Sequence, residues 1–227
     1  MMELVQLSAP LLLSGLVLTL KISIFAVAIG FLIGLGLAVS RTSGGFMLSA
    51  ISKIYSAIFR GTPLMVQLFL FYYGLGQLSF IKNSPLAWWV IGDGMRCAVL
   101  VLALNSAAYA SEILRGGFLS VPRGAVEAAR ACGMSGWLQF RRIEFPIAIR
   151  QALPAYGNEM ILTLKGSSLA STITVLEITG HAKRLMSQTF AVIEVFALAG
   201  LIYLLINVVM IALLRLAERS LMRHVQA

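Results

Sequence analysis

Long apolar stretches separated by short polar segments dominate the sequence. The stretches cover about residues 11–39, 62–80, 97–114, 153–174 and 190–214. Each is long enough to cross roughly 30 Å of hydrocarbon as an α-helix, which needs about 20 residues. The pattern therefore predicts an all-α membrane protein with five transmembrane helices.

The composition agrees with this prediction. Apolar residues make up 59% of the 227 positions, charged residues only 12%, and the mean hydropathy is +0.90. A soluble domain carries about twice that charged fraction. The length leaves no room for a separate enzymatic domain beside five spans. Residues 1–227 are therefore predicted to form a single membrane domain.

The net charge of +9 has two possible readings. A basic excess can indicate a nucleic-acid partner, but short basic loops also mark the cytoplasmic face of a membrane protein. Here the basic residues cluster after alternate stretches, at Arg41, Lys53 and Arg60, at Arg115, Arg123, Arg130, Arg141, Arg142 and Arg150, and at Arg215, Arg219 and Arg223. This asymmetry favours membrane topology over nucleic acid, with the N-terminus outside and the C-terminus in the cytoplasm.

The first stretch carries small residues at every fourth position, Ala26, Gly30, Gly34 and Ala38. Such spacing places them on one face of a helix, where a second helix can approach closely. In the second stretch, Pro63 is expected to start or kink the helix. Glu112 lies three residues before Arg115, a spacing that suits a local ion pair.

The segment from about 115 to 152 is the least apolar part of the chain. Residues 127–132 have the composition of a short helix, Gly133 can end it, and a second amphipathic piece runs to Pro146. One interpretation is a solvated connector. The helix, turn and helix pattern and its six arginines favour a rigid cytoplasmic docking surface instead.

A motif within this segment resembles the EAA loop of ABC importer membrane subunits, E-A-A-x3-G-x9-I-x-L-P. Glu127, Ala128, Ala129 and Gly133 match it, as do Ile143 and Pro146, while Phe145 replaces the leucine. In that family the loop forms coupling helices that sit in a groove of the ATP-hydrolysing subunit. The resemblance therefore implies an ATPase-coupling role for Glu127, Ala128, Ala129 and Gly133, with Arg130 on the same helix.

Further blocks resemble the polar amino acid importers, most of all the M-type membrane subunits for histidine, lysine, arginine and ornithine or for arginine alone. These blocks are residues 59–64 with Gln67, 104–109, 156–159 and 165–170. The resemblance implies a type I ABC importer transmembrane domain in the bacterial inner membrane. Its expected partners are two ATPase subunits, a homologous Q-type membrane subunit or a second copy of the chain, and an extracytoplasmic amino-acid-binding protein.

Two ionisable residues lie inside the fourth stretch, Glu159 and Lys165. Six positions apart on a helix, they do not face each other. A cation of a neighbouring subunit and the cationic side chain of a transported amino acid are the two candidate partners for Glu159, and the resemblance favours substrate. Tyr156, Asn158, Thr163 and Ser168 are candidate hydrogen-bonding residues for its zwitterionic head. Lys165 either binds a carboxylate or snorkels to the outer interface.

The chain is predicted not to be an enzyme and to hold no cofactor. It has no G-x-x-x-x-G-K-[ST] phosphate loop, so ATP and Mg²⁺ are expected on the partner ATPase. Its two histidines, His181 and His224, have no neighbouring ligands at metal spacing, so no metal site is expected. An ion-coupled secondary amino acid transporter is the alternative function, although it usually needs more spans or an internal repeat. An intramembrane enzyme would need a catalytic cluster.

Overall fold

The computed structural model describes residues 2–42 and 45–222, and its regular structure in these ranges is helical. Arg223 and His224 lie outside the described residues. The α-helices are α1 (Met2–Thr42), α2 (Phe46–Gly61), α3 (Leu64–Phe69), α4 (Ser79–Lys82), α5 (Pro85–Ile91), α6 (Gly94–Leu119), α7 (Arg123–Ala131), α8 (Gly136–Gln139), α9 (Phe145–Gly166), α10 (Ile178–Thr189) and α11 (Val192–Met222). π-Helical turns at Leu70–Gly74 and Phe140–Glu144, and 3₁₀ turns at Leu75–Gln77 and Ser167–Ile173, extend α3, α8 and α9.

Three described helices are long and apolar enough to cross a membrane alone: α1, α6 and α11. Two bent pairs pass the same test, Phe46–Gly61 with Leu64–Gln77 at 103° and Gly136–Ile173 with Ile178–Thr189 at 46°. The count reaches five if each bent pair is one span. The all-α membrane fold predicted from the sequence is confirmed.

The core of the fold is the contact between α1 and α6, where the small residues of α1 lie. Ala26 and Ala38 are fully buried. A Cβ on Gly30 would lie 3.0 Å from the Ala103 carbonyl oxygen, and one on Gly34 would lie 2.7 Å from the Ala110 Cβ. The two backbones therefore approach as closely as the four-residue spacing predicts.

α2 occupies residues that the sequence analysis left between two spans. Its hydrophobic pattern is inverted, because Ser52 and Ser56 are buried while Ile51, Ile54 and Ile58 are exposed. Ser52 donates to the Leu37 carbonyl, and the Ser56 hydroxyl bonds that of Ser111. Apolar side chains on the outside suit lipid, and the buried serines bond neighbouring helices. Hydropathy alone therefore missed this helix.

Pro63 separates α2 from α3 and caps the N-terminus of α3, as its position in the sequence predicts. The fourth predicted stretch is also interrupted, because Thr174 adopts a left-handed conformation (φ 72°) after the 3₁₀ turn. α10 then starts from Glu177, whose fully buried carboxylate accepts bonds from the backbone N–H groups of Thr179 and Gly180 and from the Tyr203 hydroxyl. These bonds fix α10 against α11.

Candidate functional site

A cavity of about 220 Å³ lies between α3, α6 and α9. It is lined by Leu64, Leu102, Asn105, Tyr109, Glu159, Leu162 and Thr163. Its volume is below the roughly 300–1,000 Å³ typical of sites for drug-sized ligands. A space of this size can hold a single side chain but not a drug-sized ligand.

Glu159 is the only carboxylate that lines this cavity, and its side chain is almost fully buried. The Thr163 hydroxyl, one turn later on α9, donates to Glu159 Oε1 over 3.2 Å. Ser106 on α6 lies beside the same carboxylate, with its own hydroxyl buried. Within the described part of the chain, no basic side chain forms an ion pair with Glu159. The carboxylate therefore retains acceptor capacity toward the cavity.

Asn105 supplies a second acceptor, because a network holds its amide in one orientation. Its Nδ2 donates to Gln67 Oε1 (3.0 Å) and to the Phe59 carbonyl (3.2 Å). Gln67 Nε2 in turn donates to the carbonyls of Phe59 and Thr62 and to the Thr62 hydroxyl. Flipping the Asn105 amide would place Oδ1 against two acceptors. Oδ1 is therefore the Asn105 atom left for a ligand.

Tyr109 lies between the cavity and a cluster of charges near the C-terminal end of α6. The Arg60 guanidinium lies over the Tyr109 ring, 5.5 Å from its centroid. Glu112 forms ion pairs with Arg60 (3.4 Å), Arg115 (3.0 Å) and Arg41. The predicted Glu112–Arg115 pair is confirmed, and Glu112 also ties together the ends of α1, α2 and α6.

The structure brings only two of the five sequence-predicted substrate residues to this cavity, Glu159 and Thr163. Tyr156 turns toward α1, where its hydroxyl donates to the Val27 carbonyl over 3.0 Å. Asn158 lies in a niche with Arg215 and Glu218 of α11. The Ser168 hydroxyl donates to the Lys165 carbonyl, one 3₁₀ turn back. Tyr156 is only about 60° around the helix from Glu159, but it lines a separate cavity beside α1. Asn158 is about 100° away, and Ser168 lies beyond the end of α9.

Sequence reasoning missed Asn105 and Tyr109 as cavity residues. Both lie on α6, at least fifty positions before Glu159, so no local spacing connects them with it. Asn105 is an uncharged polar residue in a span, and such residues commonly bond neighbouring helices. Its bond to Gln67 is an example, and Asn105 also lines the cavity.

The predicted coupling helix is α7, and its C-terminal turn has the expected glycine geometry. Gly133 has φ +73°, and the Gly133 and Met134 N–H groups bond the carbonyls of Arg130 and Ala129. Glu127, Ala128 and Arg130 are exposed, whereas Ala129 is buried. The helix therefore presents one face to the surroundings and packs the other against the rest of the segment.

Polar and aromatic contacts connect α7 with the turn at Phe140–Glu144 and with the end of α6. Arg130 Nε donates to Gln139 Oε1 over 3.3 Å, and Gln139 donates to Glu144. Phe140 stacks on Phe118 at the end of α6, with ring centroids 5.8 Å apart. These contacts connect α7 with the adjoining ends of α6 and α9.

Metal chemistry has no evident site in the ranges the structure describes, which contain no group of three or more His, Cys, Asp or Glu in a metal-binding arrangement. Cys97 is buried and Cys132 is exposed, both as free thiols.

These features define a membrane-embedded transport subunit, and comparison with known proteins identifies its family. Residues 30–223 match the model of the binding-protein-dependent transport system inner membrane component family. The chain belongs to this family. It is a multi-pass inner-membrane permease subunit of an ABC importer, with a type I transmembrane fold.

Individual relatives cover nearly the whole chain. The nopaline transport system permease protein NocM of Agrobacterium fabrum is 50% identical over 220 residues, 97% of this chain and 91% of NocM. The histidine/lysine/arginine/ornithine transport system permease protein HisM of Salmonella typhimurium is 42% identical over 214 residues, 94% of this chain and 91% of HisM. A solved structure described as an amino acid ABC transporter with histidines has a TM-score of 0.81 at 38% identity, covering 93% of this chain and 94% of that one.

Proposed function

We propose that this chain carries polar, cationic amino acids inward across the membrane, and that the Glu159 cavity receives the cationic side chain in transit. The observation that carries the proposal is a buried carboxylate facing a small cavity with no basic partner among the described residues. Relatives whose names specify histidine, lysine, arginine and ornithine, or nopaline, support the same substrate class.

The cavity has the chemistry that a cation requires. Glu159 and Asn105 Oδ1 present acceptors, while the Tyr109 ring, which already lies under the Arg60 guanidinium, completes the wall. A guanidinium has five N–H donors and an ammonium three, and neither has an acceptor. Low polarity around the carboxylate strengthens its attraction for a cation, since little water screens it. A neutral side chain would leave Glu159 without a counter-charge.

The α-amino and α-carboxyl groups of the substrate require other contacts. None of the other three candidates lines the Glu159 cavity: Tyr156 bonds α1, Asn158 lies beside α11, and Ser168 follows the end of α9. Thr163 shares the cavity and can hold Glu159 in place through its hydroxyl. We therefore assign Thr163 to positioning the carboxylate, and Asn105 to direct contact with substrate.

The proposed assembly contains two ATPase subunits, an extracytoplasmic binding protein, and either a homologous Q-type membrane subunit or a second copy of the chain. ATP and Mg²⁺ would bind the ATPases, and this chain would catalyse no reaction itself. With the basic segments in the cytoplasm, the N-terminus lies outside and the C-terminus inside. The family match, which names a binding-protein-dependent system, supports the binding-protein partner.

α7 is the proposed contact with the ATPase. Its exposed Glu127, Ala128 and Arg130 would face the ATPase groove, while buried Ala129 and the Gly133 turn fix the helix on the segment. α7 follows α6 after a short turn at 120–122. Closure of the ATPases would therefore tilt α6, and with it the cavity wall formed by Asn105 and Tyr109.

Glu159→Gln tests the substrate site. The change keeps the size of the side chain and removes its charge. Hydrogen bonds to charged groups contribute about 1.5–3 kcal/mol, so loss of the charge should slow uptake roughly 10- to 150-fold, since about 1.4 kcal/mol is tenfold. Uptake of labelled arginine into proteoliposomes is measured with saturating binding protein, so that the loss reports on the membrane step.

Glu194→Gln is the matched control, because Glu194 is exposed at the start of α11 and does not line the cavity. It should transport as the unaltered chain does, and both variants should assemble normally. Normal uptake by Glu159→Gln would refute the site assignment. Competition by glutamine but not by lysine or arginine would refute the cationic substrate class while leaving the importer function intact.

A further inference from the structure

An apolar crevice of about 450 Å³ lies between α1, α9 and α11, apart from the Glu159 cavity. Its walls come from residues 27–31 of α1, residues 149–160 of α9 and Leu214 of α11. No polar atom of these walls faces the crevice, and the one hydroxyl among them, that of Tyr156, donates to the Val27 carbonyl over 3.0 Å. An amino acid or a water molecule would find no hydrogen-bond partner there. The crevice therefore suits an apolar occupant.

The packing of α10 explains why this space exists. Near their N-terminal ends, α1 and α11 both pack against α10, where Leu12, Leu185 and Ala199 belong to one buried cluster. Val27 follows Leu12, and Leu214 follows Ala199, by the same interval, which corresponds to about 22 Å along either helix. α10 does not line the crevice at that depth. A space therefore remains between α1 and α11, on the side of α9.

The crevice has the length of one leaflet of a bilayer. From Ile149 to Met160, α9 rises about 16 Å at 1.5 Å per residue. One leaflet is half of the roughly 30 Å hydrocarbon core, or about 15 Å. The volume also lies within the roughly 300–1,000 Å³ range of ligand sites. An acyl chain lying along α9 therefore matches the space in length as well as in polarity.

The crevice opens away from the Glu159 cavity. Leu162 is the exposed wall of that cavity, and on an α-helix Met160 and Leu153 point about 160° and 180° away from it. Beside the crevice, Leu32 and Leu213 are largely exposed. The crevice thus opens on an apolar outer surface, where lipid is the neighbour, and not on the proposed substrate path.

A basic side chain lies at one end of the crevice. Arg150 follows the wall residue Ile149 and points about 60° from Leu153 around α9. It lies about 8 Å from the start of the helix and is half-buried. Arginine can place its aliphatic stem along an apolar surface and extend its guanidinium to the membrane interface. Arg150 can therefore reach a headgroup whose acyl chain lies in the crevice.

Other arginines at this end of the fold have acidic neighbours. Arg41 and Arg115 form ion pairs with Glu112, and Arg215 lies in one niche with Glu218. In residues 2–42 and 45–222, no acidic side chain forms an ion pair with the arginine beside the crevice. Its positive charge is therefore available to an anionic group.

We propose that the crevice between α1, α9 and α11 is a binding site for an anionic phospholipid, with one acyl chain in the crevice and the phosphate at Arg150. In the orientation proposed above, this lipid belongs to the cytoplasmic leaflet. Basic pockets between transmembrane helices on that side bind anionic headgroups, and a guanidinium can bind phosphate through two parallel hydrogen bonds. The site is additional to the proposed transport function, because its ligand is a component of the membrane and not the substrate.

Lipid binding by the complete complex tests the site. The purified, detergent-washed complex is incubated with phosphatidylglycerol, and bound phospholipid is counted by native mass spectrometry. Ala28→Phe should lower the bound fraction at least fivefold, because Ala28 is an exposed wall residue and a phenyl ring would fill the crevice. Ala212→Phe is the matched control, since Ala212 is exposed on α11 and points about 160° away from Leu214. Equal binding by the two variants, or no lipid bound to the unaltered complex, would overturn the site.

Arg150→Gln tests the headgroup contact without adding volume to the crevice. The preference for phosphatidylglycerol over phosphatidylcholine should fall at least fivefold, because the second headgroup carries no net charge. Arg142→Gln is the control, since Arg142 is exposed in the preceding π-helical turn and does not line the crevice. A preference that is unchanged in Arg150→Gln, or reduced equally in both variants, would contradict the assignment of the phosphate to Arg150.

Photo-crosslinking from the crevice wall distinguishes lipid from protein as its occupant. A photoreactive amino acid replaces Met160 in the complete complex in native membranes, and the adduct is identified by mass spectrometry. A phospholipid adduct is expected, and an adduct with another protein subunit would overturn the lipid site. Because lipid binding is the readout, failure of this proposal would leave arginine uptake by the unaltered complex, and hence the proposed function, unaffected.

Discussion

The first prediction concerns Gly133, at the end of the proposed coupling helix α7. Its φ of +73° lies in the left-handed region, and a Cβ built there would meet nothing within 4 Å. The cost of Gly133→Ala is therefore conformational and not steric. A left-handed conformation costs a residue with a Cβ about 1–2 kcal/mol. This corresponds to roughly 5- to 30-fold more frequent opening of the turn.

Two further substitutions at Gly133 should destabilise the turn to different extents. Gly133→Asn should cost less than Ala, because Asn visits the left-handed region routinely. Gly133→Asp adds a negative charge beside the C-terminal carbonyls of α7, which costs about 0.3–1 kcal/mol more than a neutral residue. The Asp and Ala variants should therefore lose more of the coupling between ATP hydrolysis and transport than the Asn variant does. Gly133→Asp is expected to uncouple ATP hydrolysis from transport.

Two quantities are measured: amide hydrogen exchange in the turn, and the number of amino acids imported per ATP hydrolysed. The N–H groups of Cys132, Gly133 and Met134 bond helix carbonyls, so their exchange should accelerate by the stated factor. The ratio of amino acid imported to ATP hydrolysed should fall in the same order. Gly124→Ala is the matched control, since it lies in the first turn of the same helix in open space. Equal behaviour of Gly124→Ala and Gly133→Ala, or unchanged exchange in the latter, would refute the reasoning.

Two other predictions concern the packing that holds the site. Gly34→Ala places a Cβ 2.7 Å from the Ala110 Cβ. This overpacking should lower the free energy of unfolding of the solubilised protein by about 1–3 kcal/mol. The control Gly36→Ala meets nothing within 4 Å and should melt at the same temperature as the unaltered chain. Tyr203→Phe removes a 2.6 Å bond to the buried Glu177 carboxylate and should cost about 1.5–3 kcal/mol, measured by thermal melting; a cost no larger than that of Tyr72→Phe, whose exposed hydroxyl makes a 3.3 Å contact, would contradict it.

Several elements of this protein are determined by residues close together in the sequence. A helix that must satisfy its own backbone in lipid needs a long apolar run, so α1, α6 and α11 were evident from hydropathy. Pro63 lacks an N–H and suits the start of a helix, and Gly133 suits a left-handed turn. The coupling segment and the family resemblance follow from residues close in sequence.

Only the tertiary structure decided which polar groups meet. Glu159 and Thr163 face α6, while Tyr156 and Asn158 turn to α1 and α11, because the packing of neighbours sets the rotation of α9 about its axis. Asn105 reaches the same cavity from a helix about fifty residues earlier, and its free oxygen depends on a network that starts at the α2–α3 break. The protein interior and the lipid around it are both apolar. The local sequence pattern therefore indicates neither how a helix is rotated about its axis nor which distant residues it meets.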